Sequence, residues 1–242
     1  MPPVSCNKDD LDELYEHVKA SVVSVTTYNT DKYKLDFLTG FIIWSDRKHS
    51  LICVHQSAID TKKTLYVHLT DGTIEKASMV QRSPSPSGHV VLMTTTESGQ
   101  ARKTVSFRTT EAMREDIFVI AEVEGGYRGF NMLTGTIISP SCKSKDPQSG
   151  EVILGSEHRF ALSCAAANII GAAVFDFNCL LVGTVSEFDD VSYDLNYALQ
   201  SCHWVKQLEE SLKAVNSKIS LSKDMKINIL ETRKRKRNIS KA

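Results

Sequence analysis

About a dozen short stretches, each five to nine residues long, follow one another along most of this chain with no helical pattern between them. In order they read SVVSVTTY, LTGFIIWS, LICVHQ, TLYVHLTDG, IEKASMVQR, HVVLMTT, DIFVIAEVE, TGTIISP, GEVILG, FALSC, AAVFDF and LLVGTVS. They are rich in β-branched and aromatic residues, and turn-formers such as SDRKHS, TDGT, SPSPSG, EGGYRG and SKDPQSG separate them. β-Branched side chains suit the pleated backbone, and Gly, Pro, Asn, Asp and Ser clusters end it. Parallel strands need long crossovers, which these short links cannot supply. The pattern therefore predicts an all-β fold of antiparallel strands closed into barrels or stacked as a sandwich.

Helical spacing occurs only at the two ends of this series. Residues 9–20, DDLDELYEHVKA, place Leu11, Leu14, Tyr15 and Val18 on one face, with Asp9 and Asp10 favouring the helix start. In YALQSCHWVKQLEESLKAV, Leu199, Cys202, Val205, Leu208 and Leu212 recur at helical spacing. The expected organisation is an N-terminal segment and helix over 1–20, a first group of strands over 21–102 and a second over 103–200. A closing helix over 201–216 and a basic tail over 217–242, read as disordered, complete it. The turn-rich ESGQARKT stretch marks the division between two similar groups of about six strands.

Bulk properties narrow the function classes. The chain has 242 residues, 41% of them hydrophobic and 24% charged, enough for a substantial core. No apolar run approaches the ~20 residues of a membrane-spanning helix. The start, MPPVSCNKDDLDELYEH, lacks the basic and apolar character of a secretory signal, so the expected location is nucleus or cytoplasm. Cys6, Cys53, Cys142, Cys164, Cys179 and Cys202 are scattered without zinc-ligand spacing. They read as buried thiols, and no metal or other cofactor is expected.

Net charge is zero but unevenly placed. Residues 218–242 carry nine Lys/Arg against Asp224 and Glu231, leaving a compensating acidic excess in the body. An acidic body disfavours nucleic acid as a partner except through the tail. Within it, Arg233, Lys234, Arg235, Lys236 and Arg237 form a candidate nuclear-import signal.

Taken together, several of these pieces resemble, in order, the trypsin-like serine protease family, and within it the HtrA/Deg (Do-like) branch. A leading helix runs into SVVSV. LTGFIIWSDRKHSLICVHQSAI is similar to the unit that ends in the catalytic histidine, with His55 in that place. HVVLMTT is similar to the strand opened by the catalytic aspartate. FALSCAAANIIGAAVFDFNCLLVGTV is similar to the nucleophile loop and its hairpin, and YDLNYALQSCHWVKQLEESL to the last strand and closing helix. The resemblance covers roughly residues 9–212. It implies two six-stranded antiparallel barrels of the chymotrypsin/trypsin type, with a short helix before and another after.

That family's chemistry needs a serine nucleophile, a histidine base and an aspartate that orients the imidazole, with backbone amides for the oxyanion. Here His55 occupies the base's position. The acid's position holds His89, or Gly88 if the register slips by one, and neither is a carboxylate. The pattern G-N-S-G-G falls on Asn168, Ile169, Ile170, Gly171 and Ala172, so Ile170 stands where the nucleophile belongs. Asn168, Ile169 and Gly171 mark the oxyanion loop. A hydrocarbon cannot attack a carbonyl, and loss of the nucleophile costs a triad enzyme roughly a million-fold in kcat.

The expectation is therefore a pseudoprotease that binds a peptide or protein segment or acts as a scaffold. The alternatives are a serine-type endopeptidase or cysteine hydrolase with a rearranged site, drawing on Cys53, Ser163 or Cys164, and a nuclear adaptor acting through the basic tail. The resemblance also implies possible homo-oligomers. The residues after the closing helix are too few for the PDZ domain that many family members carry.

Overall fold

The computed structural model describes residues 8–27, 38–56, 59, 63–83, 88–95, 99–122, 130–142, 158–164, 169–188, 195–205 and 208. The first barrel contains β1 (Val22–Thr26), β2 (Leu38–Ser45), β3 (His49–His55), β4 (Leu65–His68), β5 (Ile74–Arg82) and β6 (His89–Thr95). Hydrogen bonding runs β1-β2-β3-β6-β5-β4 and closes from β4 back to β1. Closure leaves no unpaired edge, which is how this strand-rich half avoids sticking to other chains.

The second barrel contains β8 (Asp116–Glu122), β9 (Phe130–Cys142), β10 (Arg159–Cys164), β11 (Ala173–Asp176), β12 (Leu180–Phe188) and β13 (Leu195–Gln200). Its order is β11-β8-β9-β10-β13-β12, and pairing of β11 with β12 closes it. The two-residue β7 (Ser106–Phe107) adds to β12 in parallel. The expected pair of six-stranded antiparallel barrels is thus what the chain forms.

Several sequence expectations change in detail. Leu199, which recurs at helical spacing with the closing segment, lies in β13; the helical turn begins at Ser201, as expected. Its spacing to Cys202 fits either a helix or the end of a strand, and pairing with Arg159 and Thr184 settles it as strand. β9 runs 13 residues rather than seven, because it pairs with β8 over one half and with β10 over the other. The GEVILG stretch and the 233–237 basic run lie outside the described residues.

Three apolar clusters explain why so many strands read as unbroken hydrophobic runs. Val23, Val25, Ile42, Ile52, Val54, Val90 and Leu92 fill the first barrel. Ile117, Val119, Ile137, Phe160, Leu162, Val174 and Val182 fill the second. The alternate residues of the same strands, among them Phe41, Cys53, Val91, Phe118, Ile120 and Phe175, form a third cluster between the barrels. Successive side chains point to opposite faces of a strand. A strand with barrel interior on one side and the seam on the other is therefore apolar at every position.

Elements from both ends of the described chain join that seam. α1 (Lys8–Lys19) buries Val18 there and packs Leu14 and Tyr15 against it. The Tyr15 hydroxyl donates to the Phe130 carbonyl of the second barrel at 3.2 Å. Trp204, Val205 and Leu208 enter from the other end. The segment linking the barrels is tied to the first of them: the Arg102 guanidinium donates to the buried Glu75 carboxylate at 2.6 Å, and the Val105 amide donates to the Ile42 carbonyl at 2.9 Å.

Two glycines mark close approaches inside the second barrel. A Cβ on Gly135 would collide with the Ser163 carbonyl. A Cβ on Gly183 would sit 2.5 Å from the Leu199 carbonyl oxygen and 2.6 Å from a Phe160 ring carbon. Backbone and a fully buried ring cannot step aside, so Gly183→Ala is expected to cost about 3 kcal/mol of stability by overpacking. Urea unfolding followed by circular dichroism measures this, and a loss below about 1 kcal/mol would contradict it.

Candidate functional site

The site lies where the first barrel's β3 ends and β6 begins, against a turn of the second barrel. His55 closes β3, His89 opens β6, and the two are directly opposed in the ladder. Two residues earlier on β3 and two later on β6, Cys53 and Val91 are opposed in the same way and lie in the seam. Strand alternation therefore turns both histidines toward the second barrel. Both are buried, with ring centroids 6.0 Å apart in an edge-on arrangement.

The facing turn is built by residues 169–172. The Ala172 amide donates to the Ile169 carbonyl at 2.9 Å, and Gly171, the third residue, has φ +90°. A left-handed third residue is what a type II turn requires, and glycine adopts it without a Cβ clash. The Gly171 amide donates to the Val185 carbonyl at 2.8 Å, and the Val185 amide donates back to the Ala172 carbonyl at 3.0 Å. A Cβ on Gly171 would lie 3.5 Å from the His55 Cβ and 3.4 Å from the Thr39 carbonyl oxygen. The turn thus packs directly on His55, joining the first-barrel histidine to the segment carrying Ile170.

Within that turn the two isoleucines diverge. Ile169 is buried in the second barrel's core, whereas Ile170 is 37% exposed. Of the oxyanion-loop positions, Gly171 has its amide committed to β12, and Asn168 lies outside the described residues.

His89 has a neighbour that sequence reading missed. The Trp204 indole lies over its ring at 4.3 Å between centroids, tilted by 33°. Trp204 also meets Phe41 at 5.9 Å and Phe107 at 5.4 Å. The position expected to hold a carboxylate therefore lies within an aromatic stack. Burial, with a smaller contribution from His55, pushes the His89 imidazole down to about 3. It is neutral at physiological pH. Helical spacing selected Cys202 and Val205 and passed over Trp204; its large ring beside them was the available signal.

The other candidate nucleophiles are not gathered here. Cys53 is fully buried in the seam, and burial pushes its thiol well up. Cys164 lies in the interior of the second barrel, where burial pushes its thiol up to about 11. Such thiols hold their protons and are poor nucleophiles. Ser163 alternates outward on β10 and is exposed. No cluster of three or more His, Cys, Asp or Glu suited to a metal ion occurs among the described residues.

Behind the turn, the β11–β12 hairpin is tied by Asp176. Its carboxylate accepts from the amides of Asn178 at 3.0 Å and Leu180 at 2.9 Å, while its carbonyl accepts from the Cys179 amide. The left-handed residue is Cys179, with φ 59°, not the Asn178 beside it. Arg108 pairs with Glu115 and lies 3.7 Å from the buried Asp176 carboxylate. This fixes the hairpin against the strand entering the second barrel.

Two closed antiparallel barrels meeting at a histidine and a glycine turn define the chymotrypsin-like fold. Solved structures agree. The chain is similar to the inactive form of the Rv3671c protease at TM-score 0.64 and 16% identity, covering 87% of this chain and 98% of that one. An inactive serine-to-alanine mutant of Rv3671c from M. tuberculosis aligns at TM-score 0.65 and 15% identity, covering 92% of this chain and 100% of that one. The active form of that protease aligns at TM-score 0.64 and 15% identity, covering 86% and 88%. At this identity the likeness is one of fold. No protein-family model and no curated protein matches the sequence.

Proposed function

We propose that this chain is a catalytically silent relative of trypsin-like serine proteases, closest in layout to the HtrA/Deg branch, that holds an extended peptide between its barrels. The observation carrying this reading is Ile170, an aliphatic residue in the turn packed on His55. The residue opposite His55 is His89, an imidazole beneath an indole, where an orienting carboxylate would be needed. The buried thiols offer no substitute nucleophile.

Binding is supported by the end of β12. Residues 187 and 188 pair with β13 on one side. On the other side, among the described residues, the last ladder bonds are those of Val185 to Gly171 and Ala172. An extended segment can add to such an edge through backbone bonds alone.

Incubation with unfolded casein tests both parts. The expected result is protection of the 185–188 amides from hydrogen exchange with the casein left intact and no labelling of the chain by a fluorophosphonate. Cleavage, labelling, or protection confined to surfaces away from the cleft would overturn the reading.

A further inference from the structure

We infer that the helical turn 201–205 is a latch across the two barrels, closed by two ring stacks and released by acid. This inference goes beyond the proposed peptide binding and does not depend on it.

The latch consists of consecutive residues. Neighbours on a helix point about 100° apart, so His203 and Trp204 reach different surfaces. Trp204 stacks on His89 of β6, in the first barrel. His203 stacks on His158, immediately before β10 of the second barrel, with centroids 4.0 Å apart and rings within 20° of parallel. The Ser201 hydroxyl lies 2.7 Å from the Leu181 carbonyl oxygen and seats the start of the turn. Both ring contacts join a histidine to the same short segment.

The His158–His203 stack ties the turn to the second barrel, and protonation works against the other contact, at His89. Exposed Glu111 lies 4.0 Å from His203 on the same side of the turn. At His89, a proton would place a charge in the seam between Trp204 and His55. On the adjacent strand Arg82 is exposed, and no carboxylate pairs with His89 among the described residues. A buried charge without a partner strongly favours any conformation that lets water reach it.

With the turn lifted, His89 regains ordinary hydration and takes up a proton far more readily. Acid therefore shifts the population toward the open form by mass action, up to tenfold per pH unit for each proton gained. Opening uncovers the sides of Phe41 and Phe107 that Trp204 now covers. The result is an apolar surface beside His55 that exists only below neutral pH.

Both tryptophans can be replaced by 5-fluorotryptophan, giving one fluorine signal from Trp204 and one from Trp44, which is buried on β2 in the same seam but outside the 201–205 turn. On acidification from pH 7 to pH 4, the Trp204 signal is expected to become solvent-sensitive while the Trp44 signal stays unchanged. In His89→Phe, which keeps an uncharged ring under the indole, the midpoint should fall by roughly one pH unit or more. His89→Leu, equally unable to take up a proton, should lower it too and serves if the first variant does not fold. A Trp204 signal that stays protected to pH 4, or that changes only together with Trp44, would overturn the latch. So would a midpoint that neither substitution moves.

Discussion

Replacing Arg108 with alanine is expected to lower the unfolding free energy by about 3–5 kcal/mol. The guanidinium is buried, pairs with Glu115, lies 3.7 Å from Asp176, and donates from Nε to the Thr110 hydroxyl at 3.0 Å. Its removal leaves the Asp176 carboxylate, itself only 4% exposed, without its cation. The cost comes from that stranded charge rather than from the attraction alone. Arg108→Met combined with Asp176→Asn and Glu115→Gln should therefore recover much of the loss, since no buried charge remains. Urea unfolding of the three-residue variant against the single one checks this. A single-variant loss under about 1 kcal/mol would place the pair among ordinary surface bridges.

Stability is also expected to fall with acid through His89. The folded chain protonates this imidazole only near pH 3, whereas the unfolded chain protonates it near the ordinary value of 6.5. Between those values the unfolded state binds more protons, so stability declines as pH drops through 6.5 and the decline ends near pH 3. At 1.36 kcal/mol per unit, the full window corresponds to about 4–5 kcal/mol. A decline that ends above pH 3 marks the point at which lifting the 201–205 turn costs less than burying the charge. Carboxylates elsewhere add their own acid dependence, so the informative quantity is the difference between the native chain and His89→Phe, measured from pH 7 to pH 4. A difference that stays constant across that range would contradict the assignment.

Much of the fold was legible because the physics is local. Alternation and turn residues mark strands such as Leu38–Ser45 and His89–Thr95 without knowledge of their partners. The positions that the resemblance singled out, His55, His89 and the turn containing Ile170, lie together across the seam. The features that escaped depend on contacts between distant segments. The strand identity of Leu199 follows from its neighbours in two ladders, not from its own spacing. The two residues of β7 are too few to show any period. Cys179 adopts a left-handed conformation that its side chain does not favour, because the Asp176 carboxylate and carbonyl hold the hairpin there. The stack on His89 needed a tryptophan from beyond the last strand.

The apolar seam, supplied from one side by α1 and from the other by Trp204 and Leu208, makes the two barrels obligate partners. Severing the chain between them, around residues 99–105, would leave each half with a bare hydrophobic wall and no means of covering it. Such halves are suited to mutual rescue: two fragments, each insoluble when produced by itself, that become a folded protein when made together.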